Sequence, residues 1–123
     1  MTGTSNYIDG YVLAVPISKL DAYRKIARIA GEVWRDHGAL EYTECIADDL
    51  QPGEQTSFAR SVKLRDDETV IFAWIVYESR EKRDEVNAKA MKDPRLAGMK
   101  DPGAVPFDTQ RLYWGGFRTL IHK

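Results

Sequence analysis

The sequence has very little cysteine and no long apolar run. Cys45 is the single cysteine in 123 residues, so no intramolecular disulfide can form and nothing supports an oxidising compartment. The longest strongly apolar run, 70–76, is far shorter than the roughly 20 residues that a membrane-spanning helix needs. The amino terminus shows neither the basic start nor the apolar stretch of a signal peptide. We therefore expect a cytoplasmic protein that does not span a membrane.

An excess of charge of either sign is also missing. The 18 Lys and Arg residues nearly balance the 19 Asp and Glu residues, which gives a formal net charge of -1. Because nucleic-acid binders usually gather a basic excess on one face, the composition predicts no nucleic-acid partner and no membrane partner. Apolar residues make up 43% of the chain, which is enough for a packed interior at this length. We expect one domain, 1–123.

The sequence contains none of the strong catalytic or cofactor motifs. It has no Gly-rich phosphate loop, no nucleophile elbow, no Cys-x-x-Cys and no His-Glu-x-x-His. The two histidines, His37 and His122, are far apart in the sequence, so we predict no metal site and no cofactor. Whether the protein is an enzyme stays open.

Hydrophobic patterning predicts two successive strand–helix–strand units. The strands are 7–15, 40–47, 69–77 and 111–121, and the helices run from a Ser18 cap to His37 and from a Ser79 cap to about Lys92. The stretch 57–64 fits either a strand or a short helix. Two such units predict an α+β fold of the ferredoxin-like type, βαββαβ, with both helices on one face of an antiparallel sheet.

The strand 69–77 is apolar on both of its faces. Alternation places Phe72 and Trp74 on one side and Ile71 on the other. The helices cover only one side and no spare segment is evident for the second, so we expect a second copy of the sheet to cover it. Ile71, Phe72 and Trp74 are the candidates for this homodimer interface, and the pattern does not distinguish Phe72 from Ile71.

Three polar residues on the strands are candidate ligand contacts. Asp9 and Glu44 each share a strand face with aromatic or aliphatic residues, so a carboxylate there needs water, a hydrogen bond or a cation. We favour carboxylates that reach solvent over groups that face a ligand. Tyr11 lies on the same strand face as Asp9 and is the third candidate.

Three further candidates lie on the predicted helices. His37 ends the first helix, where hydrogen bonds to the terminal carbonyls are favoured over an acid–base role. Arg83 and Asn87 are one turn apart and interrupt the apolar stripe of the second helix. For this pair a structural salt bridge is favoured over an anion or carbonyl clamp. We also expect Cys45 to be a small buried side chain and Trp34 to be a core or interface residue.

Several blocks of the sequence, in order, resemble one bacterial family. They are DGYVLAVP at 9–16, WRDHGALEY at 34–42, VIFAWIVYES at 70–79 and PFDTQRLYWGGF at 106–117. Together they resemble the uncharacterised YbaA-like proteins over nearly the whole chain. The resemblance implies a dimeric α+β barrel, in which two ferredoxin-like sheets pack face to face. It supplies no activity and no catalytic residues.

The function can be predicted from the sequence only as a class. We expect a cofactor-free homodimer that binds a small organic molecule in a cavity between sheet and helices, with or without turnover. The alternative is a non-catalytic structural or regulatory dimer. RNA binding is the least favoured function.

Overall fold

A four-stranded antiparallel sheet organises the molecule. The computed structural model describes residues 6–99 and 102–123. The strands are β1 (Tyr7–Pro16), β2 (Glu41–Ile46), β3 (Glu68–Tyr77) and β4 (Tyr113–Arg118). Their order in the sheet is β2-β3-β1-β4, with the two ten-residue strands at the centre. The two most apolar strands, β1 and β3, therefore lie at the centre of the sheet, where each is hydrogen-bonded to a neighbouring strand on both edges.

Three α-helices accompany the sheet: α1 (Leu20–Asp36), α2 (Phe58–Ser61) and α3 (Arg80–Ala90). The longer two, α1 and α3, pack on the same face, and α2 is a single turn. This arrangement confirms the predicted α+β, ferredoxin-like fold. The ambiguous stretch 57–64 contains a short helix and not a strand. Within the part of the chain that the structure describes, no helix combines the length and apolar composition that crossing a membrane requires.

The predicted cap of α1 is wrong, whereas that of α3 is confirmed. Ser18 lies inside a 3-10 turn, Ile17–Lys19, so the α-helix begins two residues later and has no side-chain cap. Pro16 ends β1 immediately before this turn, which leaves Ser18 without the extended geometry that an N-cap needs. Ser79 has that geometry, and its hydroxyl accepts a hydrogen bond from the Lys82 amide at 3.1 Å.

The helix-covered face of the sheet carries most of the core. The strand register aligns Leu13 with Ile71, and Tyr7 with Tyr77, on this face. Val86 of α3 is completely buried against it, and Val33 of α1 is completely buried against Ala90 of α3. Tyr23 of α1 is buried against Leu13 and Ile71, so α1 turns apolar side chains to the sheet, as an amphipathic helix does when it covers an apolar surface.

Within the described residues, the second face of the sheet is covered at one end only. Val62, which follows α2, is buried against Val12, Ala14 and Val70. The sequence-based expectation that no spare segment covers this face is therefore wrong for that end, because the loop between β2 and β3 folds over it. Beside this cover and along the rest of the face lie exposed or half-buried aromatic side chains, which we call the open face: Phe58, Phe72, Trp74, Tyr113 and Phe117.

Of the interface candidates, Phe72 and Trp74 belong to the open face and Ile71 does not. Phe72 is 44% exposed, whereas Ile71 is buried under α1 on the opposite side of the strand. The two open-face rings are in contact, with centroids 5.6 Å apart. Phe72, and not Ile71, therefore lies on the uncovered side of β3, a choice that two-residue alternation left open.

One of the two adjacent glycines of β4, Gly116, lies where β4 and a side chain of β1 approach closely. The ring of Tyr7, itself buried, lies across Gly116, and a Cβ at Gly116 would be 2.8 Å from that ring. We expect Gly116→Ala to destabilise the protein by about 1–3 kcal/mol, because the ring has no space to move into. Urea unfolding measures the difference. Gly98→Ala is the control, since its new Cβ meets no atom within 4 Å, and an equal loss in both variants would contradict the explanation.

Candidate functional site

A cavity of about 250 Å³ lies between the helix-covered face and α1. Small side chains leave this space open: Ala27 and Ala30 on the helix and Ala73 on β3. Phe107 and Leu112, from the segment that precedes β4, complete the wall. Most of the lining is apolar, which is typical of sites that bind small organic molecules.

Glu44 of β2 is the charged group of the cavity wall. Its carboxylate accepts hydrogen bonds from the hydroxyls of Tyr23, on α1, and Tyr42, two residues earlier on β2. The Tyr42 bond measures 2.6 Å. Burial, and then the Glu44 charge, raise the pKa of both tyrosines far above the usual value, so both remain neutral donors. Glu44 is half-buried: Tyr23 of α1 covers one side of its carboxylate, and the other side borders an open groove along α1.

Tyr11 and Trp34 also line the cavity. Tyr11 stacks on Trp114 of β4, with ring centroids 5.8 Å apart. Burial raises its pKa well above the ordinary tyrosine value. The Trp34 indole N–H donates a hydrogen bond to the Asn87 side-chain oxygen at 2.9 Å. These two aromatic residues therefore separate the cavity from a polar cluster that lies beneath α3.

Asp9 and Arg83 are the centre of that cluster. The Asp9 side chain is fully buried, and neither of its oxygens has a hydrogen-bond partner within the described part of the chain. The Arg83 guanidinium approaches it to 3.7 Å. Burial raises the pKa of Asp9, while Arg83 opposes that rise. The expectation that Asp9 reaches solvent is wrong, because Asp9 lies on the helix-covered face between two paired strands.

Aromatic rings hold the Arg83 side chain in place. Its guanidinium lies over the Tyr7 ring, 5.0 Å from the centroid, and over the Trp114 ring at 5.8 Å. It also donates a hydrogen bond to the Tyr7 hydroxyl at 3.2 Å. Asn87 accepts from Tyr77 as well as from Trp34. The buried salt bridge and stacked guanidinium correspond to the structural interpretation of the Arg83–Asn87 pair.

His37 lies apart from the cavity and the cluster. Its Nε2 is 2.8 Å from Oδ2 of Asp93, whose carboxylate also binds Arg95. The expectation that the His37 side chain bonds the last carbonyls of α1 is therefore not met, because the turn after α3 brings an acid within reach. Arg95, and then His37, hold the pKa of Asp93 well below its usual range. This network joins the ends of the two long helices.

An open groove meets the cavity at Ala27, Tyr42 and Glu44. Charged residues of α1 of both signs line it: Arg24, Arg28, Glu32, Arg35 and Asp36. Since basic and acidic side chains are mixed along the groove, it presents no field of one sign to a ligand.

Metal-ligating side chains do not gather in this site. Across residues 6–99 and 102–123, no three His, Cys, Asp or Glu side chains come close enough to hold an ion. Cys45 is exposed at the edge strand, so the expectation that it is buried is wrong. It is on β2, whose outer edge is unpaired, and its side chain points away from the helices.

The family assignment follows from comparison of the whole chain. Residues 6–109, which include most of the cavity wall, match the family described as "Protein of unknown function (DUF1428)". The chain belongs to the DUF1428 family. The resemblance to YbaA-like proteins is confirmed by the uncharacterised protein YbaA of Escherichia coli K12, which is 46% identical over 118 residues, 95% of this chain and 98% of that protein. YbaA of Shigella flexneri matches equally well.

Solved structures similar to this DUF1428 chain show the same fold. A NIPSNAP family protein of unknown function from Agrobacterium tumefaciens has a TM-score of 0.56 at 16% identity, covering 94% of this chain and 88% of that one. A dimeric ferredoxin-like protein from an uncultured marine organism has a TM-score of 0.52 at 12% identity, covering 97% and 98%. At these identities the likeness concerns architecture alone.

Some residues of this DUF1428 site were missed by the sequence analysis. Tyr42 could have been predicted, because two-residue alternation places it on the same strand face as the candidate Glu44. Tyr23 could have been predicted as a residue of α1 that faces the sheet. Phe107 had none, because it lies in an irregular segment without periodicity. The structure brings Asp9, Arg83 and Asn87 together, places Tyr11 between them and Glu44, and leaves His37 outside.

Proposed function

We propose that the protein binds a small organic molecule in the cavity between the sheet and α1. The cavity itself carries this proposal: an apolar space of about 250 Å³ with one carboxylate and three tyrosine hydroxyls in or near its wall. Sites for drug-sized ligands occupy roughly 300–1,000 Å³, so a smaller, single-ring compound suits this volume. Glu44 is the expected polar contact, because a carboxylate that already accepts two hydrogen bonds retains further acceptor capacity.

Benzyl alcohol is a suitable probe, and a larger side chain in the cavity should weaken its binding. We expect saturable binding with a dissociation constant on the order of 1 mM, followed by amide shifts in a ¹⁵N NMR titration. Ala30→Leu places three more carbons in the cavity and should weaken binding at least about fivefold. Ala22→Leu makes the same change on the exposed side of α1 and should leave binding unchanged. Equal affinity in both variants, or no saturation in the parent protein, would overturn the proposal.

We also propose that the protein is a cytoplasmic homodimer in which the open faces of two copies pack together. The open face supports this, since Phe58, Phe72, Tyr113 and Phe117 are each between 44% and 61% exposed. Monomeric proteins rarely leave so many neighbouring aromatic side chains in water. A second copy is the favoured occupant because an apolar face of this kind is self-complementary about a two-fold axis. The structural relative from the marine organism is described as dimeric.

A further inference from the structure

The cavity combines aromatic rings with a single charged group. Its rings belong to Tyr11, Tyr23, Trp34, Tyr42 and Phe107, and among the lining residues that the structure describes Glu44 is the one ionisable group other than the tyrosines. All other lining residues are Leu, Ile or Ala. Among the described residues, the wall thus combines several aromatic rings with one carboxylate, and the nearest arginines line the adjoining groove and not the cavity itself.

The Glu44 carboxylate has no ion pair within the described residues. Its hydrogen bonds come from the hydroxyls of Tyr23 and Tyr42, which carry no positive charge. A carboxylate offers about four acceptor sites, so two remain for a ligand. Arg24, at the edge of the neighbouring groove, is directed to Asp21 at 3.3 Å. Arg83, on the far side of Tyr11, is directed to Asp9.

We propose that the ligand is a small organic cation, namely a protonated amine attached to an apolar body. This inference rests on the proposed function, that the cavity binds a small molecule, and adds the charge of that molecule. The ammonium group pairs with Glu44, and the surrounding rings stabilise it through cation–π contacts, which strengthen where water is excluded. The apolar body fills the space beside Ala73 and Ile75. An anionic ligand of the same size would be repelled by Glu44.

Three single-ring probes of nearly equal size test the charge directly: benzylamine, benzyl alcohol and benzoate. We expect benzylamine to bind the parent protein about tenfold more tightly than benzyl alcohol, and benzoate to bind least, as measured by NMR titration at neutral pH. The preference for the amine should shrink as salt is added, since it is electrostatic.

Glu44→Gln keeps the size and removes the charge, so the preference for benzylamine should disappear while benzyl alcohol still binds. Glu41→Gln is the matched control, because Glu41 lies on the same strand, is exposed and points to the opposite side of the sheet. That variant should keep the preference.

The outcomes separate this inference from the proposal on which it rests. If benzyl alcohol binds as tightly as benzylamine, or benzoate binds more tightly, the cation preference is refuted and the cavity stands as a binding site. If none of the three probes saturates the parent protein, the proposed function fails as well. The comparison of probes on the parent protein needs no variant, so a Glu44→Gln protein that does not fold leaves the test intact.

Discussion

Phe72→Asp is expected to abolish the proposed dimer. Phe72 lies in the middle of the open face, in contact with Phe58 and Trp74. A carboxylate at this position would be buried without a partner when two open faces meet, and such burial costs several kcal/mol. We therefore expect the parent protein to elute at about 28 kDa, twice its chain mass of 14.0 kDa, and the variant to elute as a monomer or to aggregate. Light scattering on the column effluent measures both.

Phe72→Leu is the control for this variant. It retains an apolar side chain and should remain dimeric. The melting temperature of the parent should rise with protein concentration, because dissociation accompanies unfolding in an obligate dimer. A parent protein that is a stable monomer, with a melting temperature unchanged across a hundredfold dilution, would contradict the proposed assembly.

Arg111→Gln is expected to destabilise the protein strongly. The Arg111 guanidinium binds both oxygens of Glu68, at 2.7 and 2.6 Å, and the two side chains are only 11% and 4% exposed. Removing it leaves a buried carboxylate without its cation, a change that costs about 3–5 kcal/mol. Urea unfolding at pH 7 measures this loss. Arg24→Gln is the control and should cost far less, since Arg24 and its partner Asp21 are 64% and 94% exposed.

The same ion pair should make stability depend on acid pH. Hydrogen bonds from Arg111 lower the pKa of Glu68 to about 2, from 4.5 in the unfolded chain. A carboxyl group with a lowered pKa stabilises the folded protein fully above about pH 4.5, and this contribution is lost as the pH falls towards 2. The difference between the parent and Arg111→Gln should therefore shrink by about half between pH 7 and pH 3. A difference independent of pH would mean that packing, and not charge, dominates.

The framework of the fold could be predicted because it depends on local patterns. Period-two alternation located β3, and hydrophobic patterning located α1 and α3. The Ser79 cap fixed the start of α3. Each of these features needs information from only a few neighbouring residues.

The site could be predicted only in part, because it depends on contacts between distant segments. The sequence predicted that Asp9 reaches solvent, but the strand register places it between Ile75 and Gly116 of two neighbouring strands. The Glu44 carboxylate accepts a hydrogen bond from Tyr23, which lies 21 residues earlier on a helix, and sequence patterns do not predict such a contact. Likewise, alternation could not tell Phe72 from Ile71, since the choice depends on which face α1 and α3 cover.

The central claim, that the cavity is a ligand site with a carboxylate at its wall, is tested most directly by a crystal structure grown with benzylamine. We predict one ring lying between Tyr11 and Phe107, with the ammonium nitrogen within hydrogen-bond distance of the Glu44 carboxylate. Benzylamine found only on the open face, with the cavity filled by rearranged side chains, would contradict the account.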